Sequence, residues 1–336
     1  MTEALKNLGA STTATPTRAL PRDVRALDIT VLAGGPGSER EVSLLSGQAV
    51  SDALTRVGHQ VLTRDIGPDD LSALERPADF VFIALHGEFG EDGTVQAELE
   101  KRGLAYSGSG VRASQTAMDK VRSKLAFERD GIPTPPYVVV DAGNVAGFDA
   151  PFGIPAVVKP VGSGSSVDTT IARSSEVLHE TVARLVANYG QALVEQYISG
   201  PELTVGVLGE QALPVCEIRT SREFYDYEAK YIDDDTQYLF DLDLPDELLQ
   251  RVQALSVASH RALGCAVFSR VDWMVDAETL SPYVLEVNTI PGFTSHSLVP
   301  KAAAQVGLGF DELCQRIVEQ SLERQPDRLQ GTGNRP

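Results

Sequence analysis

The segment Phe268–Gly292, FSRVDWMVDAETLSPYVLEVNTIPG, decides how this chain folds. It holds two runs, FSRVDWMVD and PYVLEVN, rich in β-branched and aromatic residues and separated by AETLS, the pattern of two strands in a hairpin. Side chains alternate along a strand, so Arg270 and Asp272 share one face of the first run, and Glu286 and Asn288 share one face of the second. If the runs pair, Asp272, Glu286 and Asn288 converge with Arg270 beside them. Two carboxylates and an amide oxygen are hard donors suited to Mg²⁺, with water and phosphate oxygens completing the shell. The plainer alternative is a solvated sheet face with a surface ion pair, against which both apolar flanking patterns argue.

Upstream, LTVGVLGEQALPVCEI reads as hairpins with Gly209 and Glu210 at one tip. The strands YVVVD, PAVVKP and ALVEQYI, with a helix near 175–188, precede it, so the second half reads as α+β with antiparallel pairing. Within it, VVKPVGSGSSV (Val157–Val167) ends a buried strand on Lys159. It continues into a Gly/Ser loop whose amides and hydroxyls suit phosphate oxygens. A flexible linker is the alternative, but linkers do not sit between apolar strands of one domain. The helix MDKVRSKLAFERDG stops at Gly131, before the stiff joint IPTPPY.

The first third differs. The strand DITVLAGG leads into a helix with apolar residues at Val42, Leu45, Ala49, Val50, Ala53, Leu54 and Val57, closed by Gly58. A strand over about Gln60 to Arg64 and the apolar run Asp79–Leu85 follow. Apolar strands alternating with helices predict a parallel sheet covered on both faces. LAGGPGSEREVS lacks the G-x-G-x-x-G spacing of a dinucleotide fingerprint, which argues against a Rossmann-type oxidoreductase. It reads either as a ligand-approaching loop or as a plain turn with Glu39 and Arg40 as first-turn charges. His86, opening HGEFGEDG at the end of an apolar strand, could hydrogen-bond a substrate carboxylate or be an ordinary loop histidine. SREFYDYEAKY (Ser221–Tyr231) reads as a loop closing over a ligand, or as a stretch of surface tyrosines.

Over 336 residues, 29 Lys and Arg against 47 Asp and Glu give a net charge of −18, so nothing attracts nucleic acid or an anionic membrane globally. Three cysteines in no paired spacing exclude a disulfide framework or zinc site and fit a reducing compartment. With no long apolar run and no signal-peptide pattern, the expectation is a cytoplasmic protein. Residues 1–24 are expected to be a disordered leader and 324–336 a flexible tail.

GGPGSEREVS, LHGEFGEDG, GSGV with MDKVRSK, VVKPVGSGSSV, VEQYISGPELTV, FYDYEAKY, SRVDWMV and EVNTIPGFTSHSLVP occur in this order over about residues 27–320. In this combination the chain resembles the D-alanine–D-alanine ligase family of the ATP-grasp superfamily. The resemblance implies an α/β fold, with an N-terminal parallel-sheet domain (25–120) followed by the two α+β subdomains of an ATP-grasp fold (121–213 and 214–323). It implies ATP-dependent ligation of two D-alanines through an acyl phosphate for peptidoglycan precursors, with ATP as co-substrate, two Mg²⁺ or Mn²⁺ ions, and a homodimer. D-Alanine–D-lactate ligation, or another ATP-grasp carboxylate–amine ligation, is the nearest alternative. A catalytically dead nucleotide-binding regulator conflicts with the complete Arg270, Asp272, Glu286 and Asn288 set.

By the same resemblance, Glu39 binds the ammonium of the first D-alanine and is tied to Ser165 and Tyr231 in a closure triad, with His86 near that substrate's carboxylate. Lys120, Lys159 and Lys230 hold phosphates, with Ser166 in the phosphate loop. Glu195, Gln196, Tyr197 and Ile198 form the adenine hinge, and Glu202 meets the ribose. Asp272, Glu286 and Asn288 hold the metal ions. Arg270 and the Gly292 N–H form the oxyanion hole, and Ser297 and Leu298 receive the second carboxylate. Two departures stand out: Asp168 replaces a glycine common in the family's phosphate loop, and Gln196 a common lysine.

Overall fold

The computed structural model describes residues 25–164, 166–220 and 235–325. The expectations for the leader, Ser165, Lys230 and Tyr231, and for 326–336, lie outside the described residues. Strands β1 (Asp28–Ala33), β2 (Gln60–Asp65) and β3 (Phe80–Ile83) form a parallel sheet in the order β2-β1-β3. Helix α1 (Arg40–Arg56) links β1 to β2 and ends at Gly58, whose φ of 103° suits glycine. The chain leaves β1 toward one neighbour and later returns through the other. The C-terminal ends of β1 and β3 therefore flank a switch point, where open α/β sheets bind ligands.

The buried stripe of α1 corrects the sequence reading. It is Val42, Ser43, Ser46, Gly47, Val50, Ser51, Ala53 and Leu54, whereas Leu45 is 65% exposed and Val57 also faces solvent. Close approach is the reason: a Cβ at Gly47 would lie 2.3 Å from the Ala33 Cβ. Only small residues fit between α1 and the sheet there, so serines take places that periodicity assigns to apolar side chains.

Helix α2 (Thr94–Lys101) covers part of the sheet's other face. Helices α3 (Val111–Met118) and α4 (Lys120–Arg129) follow. The single helix expected from Met118 onward is interrupted at Asp119, which is extended and caps α4 by accepting from the N–H groups of Val121 and Arg122, both at 3.0 Å.

A second sheet comprises β4 (Tyr137–Asp141), β5 (Ala156–Lys159), β6 (Thr170–Ala172) and β7 (Gln191–Gln196), antiparallel in the order β4-β7-β5-β6. Helix α5 (Ser175–Tyr189) packs on one face. The third sheet holds β8 (Glu202–Leu208), β9 (Gln211–Ala212), β10 (Cys216–Arg219), β11 (Gln237–Leu239), β12 (Phe268–Val275) and β13 (Pro282–Asn288). Its order is β11-β10-β8-β12-β13, with β9 on β8. Leu203, Val205, Val271 and Trp273 are fully buried on its one face in a core with helix α6 (Asp246–Ala262), where Trp273 Nε1 donates to Ser256 Oγ at 2.9 Å. Alternation then puts Thr204, Arg270 and Asp272 on the opposite face.

Helices α7 (Leu298–Gln305) and α8 (Phe310–Arg324) close the chain. Leu313, Cys314, Ile317 and Val318 of α8 share one core with Val50, Ala53 and Leu54 of α1. Helix α8 includes Arg324, and the Gln325 side chain donates to the Tyr106 carbonyl at 3.0 Å.

Candidate active site

Strands β12 and β13 pair antiparallel with Arg270 opposite Asn288 and Asp272 opposite Glu286. The four side chains thus meet on one face, as their alternation predicts. Asp272 is held firmly: Oδ1 accepts from Thr204 Oγ1 at 2.6 Å and Arg270 Nε at 2.9 Å, and Oδ2 accepts from Arg270 Nη2 at 2.7 Å. Asn288 Oδ1 accepts from the Ile290 N–H at 2.9 Å. Among the described residues, no group of three His, Cys, Asp or Glu side chains is arranged to hold a metal. A divalent ion here would meet two carboxylates and one amide oxygen, a donor set of the right hardness, and would need further oxygens from a ligand or water.

Between the second and third sheets lies a cavity of about 490 Å³, within the range of small-molecule sites. Val157 and Ile171 line it from one sheet, and Met274 and Leu285 from the other. Glu195, Gln196, Tyr197, Ile198 and Glu202 border it, as do Ser166 and two of the three lysines expected to hold phosphates, Lys120 and Lys159. Lys120 is buried, donates from Nζ to the Ser163 carbonyl, and lies 3.6 Å from Glu286 Oε2. Burial lowers its pKa from the usual lysine value, with Glu286 opposing the shift. Lys159 lies 2.8 Å from Glu195 Oε2, and Lys124 lies 2.7 Å from Glu195 Oε1. Burial pushes the Glu195 carboxyl up, but the two lysines together outweigh it and hold it below the ordinary carboxylate range. Glu195 thus lines the cavity while its carboxylate holds two lysines, and Lys124 is a member the sequence reading missed.

A smaller recess, lined by Glu39, Glu91, Gly164, Arg270 and Asn288, shares Lys120, Ser163 and Glu286 with the large cavity. Glu39 sits immediately before α1, and its carboxylate fills space that a side chain at residue 87 would occupy. A Cβ on Gly87 (φ 72°) would lie 2.9 Å from Glu39 Oε2. Arg40 pairs with Asp65 through two bonds, 3.0 and 2.5 Å, and its Nη1 also donates to the Gly35 carbonyl at 3.2 Å, which pins the glycine-rich loop.

His86 is 4% exposed, and both ring nitrogens have protein partners, Ser46 Oγ at 3.0 Å and the Ile290 carbonyl at 3.1 Å. Through these contacts the ring joins α1 to the Ile290 carbonyl. Glu91 lies 3.7 Å from Nδ1, and burial raises its carboxyl above the ordinary range despite that histidine. Ser297 closes its own turn at the start of α7: its Oγ accepts from the Thr294 N–H at 3.0 Å, and its N–H donates to the Thr294 carbonyl at 3.0 Å. Gly292 lies against this turn: a Cβ there would be 3.3 Å from Ser297 Oγ. Ser46, Lys124 and Thr204, on helices and a strand, and Glu91, in the loop before α2, are the members the sequence did not single out, because buried polar residues look like surface ones in a sequence.

Two antiparallel sheets closing on one cavity, with lysine cations from one side and a carboxylate–amide face on the other, define the ATP-grasp class of ligases. A profile described as "D-ala D-ala ligase C-terminus" matches residues 126–319, and "D-ala D-ala ligase N-terminus" matches 67–109. The D-alanine–D-alanine ligase of Gloeobacter violaceus is 47% identical over 302 residues, covering 88% of this chain and 99% of its own. That of Marinobacter nauticus is 45% identical over 311 residues, covering 91% and 95%. Among solved structures, Bacillus anthracis D-alanine–D-alanine ligase aligns with a TM-score of 0.79 at 36% identity, over 90% of this chain and 99% of that one. Its ATP complex gives 0.78 at 34%. The chain belongs to the D-alanine–D-alanine ligase family.

Proposed function

We propose that this chain joins two D-alanines to D-alanyl-D-alanine at the expense of ATP, through an acyl phosphate, for peptidoglycan precursor synthesis. One observation carries the reading: the large cavity and the Glu39 recess meet at Lys120, Ser163 and Glu286. A nucleotide in the first and an amino acid in the second would present the γ-phosphoryl group to the carboxylate there.

A carboxylate is a poor electrophile because oxide cannot leave. Phosphorylation gives it phosphate as leaving group, and the amine of the second D-alanine then attacks the acyl carbon. Lys120, Lys159 and the loop amides around Ser166 neutralise the phosphate oxygens, and positioning with charge stabilisation supplies most of the catalysis. Lys230 is proposed to join them. Glu195 to Ile198 would border the adenine, with Glu202 at the ribose. Glu39 would hold the first ammonium, and Ser165 and Tyr231 would complete its triad on closure. Asp272, Glu286 and Asn288 would hold two Mg²⁺ or Mn²⁺ ions, which when bound neutralise charge on phosphate oxygens. Arg270 and the Gly292 N–H would face the oxyanion of the tetrahedral intermediate. Ser297 and Leu298 would receive the second carboxylate.

Among the described residues no helix is long and apolar enough to cross a membrane. A cytoplasmic location and a homodimer belong to the same proposal, the latter checked by light scattering on the purified chain. The test of function is ADP release with ATP, Mg²⁺ and D-alanine, with the dipeptide identified by chromatography. D-Alanine-dependent ADP and dipeptide are expected, and no dipeptide from L-alanine. ADP release indifferent to D-alanine would overturn the reading.

A further inference from the structure

Three hydrogen bonds tie the residues flanking Gly292 to the parallel sheet's switch point. His86 Nδ1–H donates to the Ile290 carbonyl at 3.1 Å, because a carbonyl can only accept. In the neutral ring this leaves Nε2 as acceptor, so the Ser46 hydroxyl donates to it at 3.0 Å. Ser46 Oγ in turn accepts from the Phe293 N–H at 3.2 Å. Ser46 has no exposed surface, and all three bonds are buried.

We infer that Ser46 and His86 act as positioning residues that aim the Gly292 N–H, an inference that rests on the oxyanion role proposed above for that group. The clasp grips one atom on each side of Pro291–Gly292, the carbonyl before and the amide after. Proline holds its own φ, so the freedom left in this short arc is concentrated at Gly292, the most permissive residue type. Its φ and ψ swing the neighbouring peptide planes, and the two gripped atoms limit that swing. The Phe293 ring, packed against Phe82, Phe268 and Phe310 at centroid distances of 5.6–6.0 Å, anchors the arc in space. Ring packing tolerates rotation of a peptide plane; a hydrogen bond to that plane does not. Ser46 can reach the arc because α1 lies close on the sheet with small residues facing it.

The experiment compares the full chain with Ser46→Ala and Ser46→Cys. It measures kcat, KM for ATP and D-alanine, and inhibition by a phosphinate analogue of D-alanyl-D-alanine with ATP and Mg²⁺ present. The tetrahedral phosphorus places an oxygen where the oxyanion forms. Losing one oxyanion donor outright costs about 10²–10³-fold in kcat. A misaimed donor should therefore cost Ser46→Ala roughly 10–100-fold in kcat and a similar factor in analogue affinity, with either KM moving less than about threefold. Ser46→Cys, which keeps a weak donor and acceptor at the same place, should recover part of both; it carries the test alone if the alanine variant does not fold. Unchanged kcat and analogue affinity, or an equal loss on every ligand, would overturn the clasp while leaving the oxyanion hole standing. If the unmodified chain binds the analogue no more tightly than D-alanine, the oxyanion reading itself fails and the clasp falls with it.

Discussion

Burying a lysine ammonium costs several kcal/mol unless an anion meets it, and Lys124 has no exposed side-chain surface. Its ammonium meets Glu195 at 2.7 Å and donates to Thr134 Oγ1 at the same distance, while Lys159 shares the carboxylate from the cavity side. Lys124→Met would leave Glu195 with one cation and Thr134 without its donor. It should destabilise the chain by about 3 kcal/mol, read from the denaturant midpoint, and raise KM for ATP because Lys159 loses its aim. Glu195 couples the two lysines, so the Lys124→Met, Glu195→Gln double variant should be less destabilised than the sum of its parts by roughly 1–3 kcal/mol. Strict additivity would show that the trio is not one unit. Glu286 has its proposed role in the chemistry instead. Glu286→Gln should lower kcat by at least about 10²-fold at millimolar Mg²⁺ with an unchanged circular dichroism spectrum. Full activity would remove it from the proposed metal site.

Asp168, at φ 57°, stands in a left-handed conformation that glycine adopts freely, which explains why an acid there departs from the family pattern. Its carboxylate accepts from Arg184 Nη1 at 2.8 Å and from the Tyr189 hydroxyl, so the Gly/Ser loop is tied to α5 where a glycine would leave it without these bonds. Helix α6 carries a different device. His260 Nδ1 lies 2.8 Å from Ser269 Oγ on β12, and burial drives its pKa down from 6.5 to about 4. The unfolded chain therefore takes up this proton at a higher pH than the folded one. The neutral histidine's contribution is fully present above about pH 6.5 and is lost as pH falls toward 4, a change of roughly 3 kcal/mol. Urea midpoints across this window should fall, and His260→Asn should flatten that part of the profile. An identical slope in the variant would assign the acid sensitivity elsewhere.

At the scale of the molecule, α8 completes the core around α1. Arg56 forms two bonds to Asp311, 2.8 and 2.7 Å, His59 Nε2 lies 2.7 Å from Gln315 Oε1, and Leu313 and Ile317 have no exposure against α1. Ending the chain after Gly309 would bare the apolar side of α1 and discard four fully or almost fully buried apolar residues, Leu313, Cys314, Ile317 and Val318. Each is worth roughly 1.5–3 kcal/mol, which together rivals the whole stability of an ordinary domain. The truncated chain should aggregate or lack a cooperative melt; a soluble form melting within a few degrees of the full chain would contradict the shared core.

What could be read from the sequence is local in origin. Arg270, Asp272, Glu286 and Asn288 were legible because a strand has period two and a five-residue turn fixes which strands pair, so short-range geometry determines what meets. The parallel strands, the lysine-bearing Gly/Ser loop and the Gly58 stop are legible for the same reason. Ser46 gripping Phe293, Lys124 meeting Glu195, Thr204 bracing Asp272 and α8 returning to α1 join residues 68 to more than 200 positions apart, or face a helix inward against its apparent polarity. No periodicity encodes these pairings. They follow from how closely the layers pack, because a polar side chain becomes a structural group only when neighbouring elements exclude water and leave it one partner.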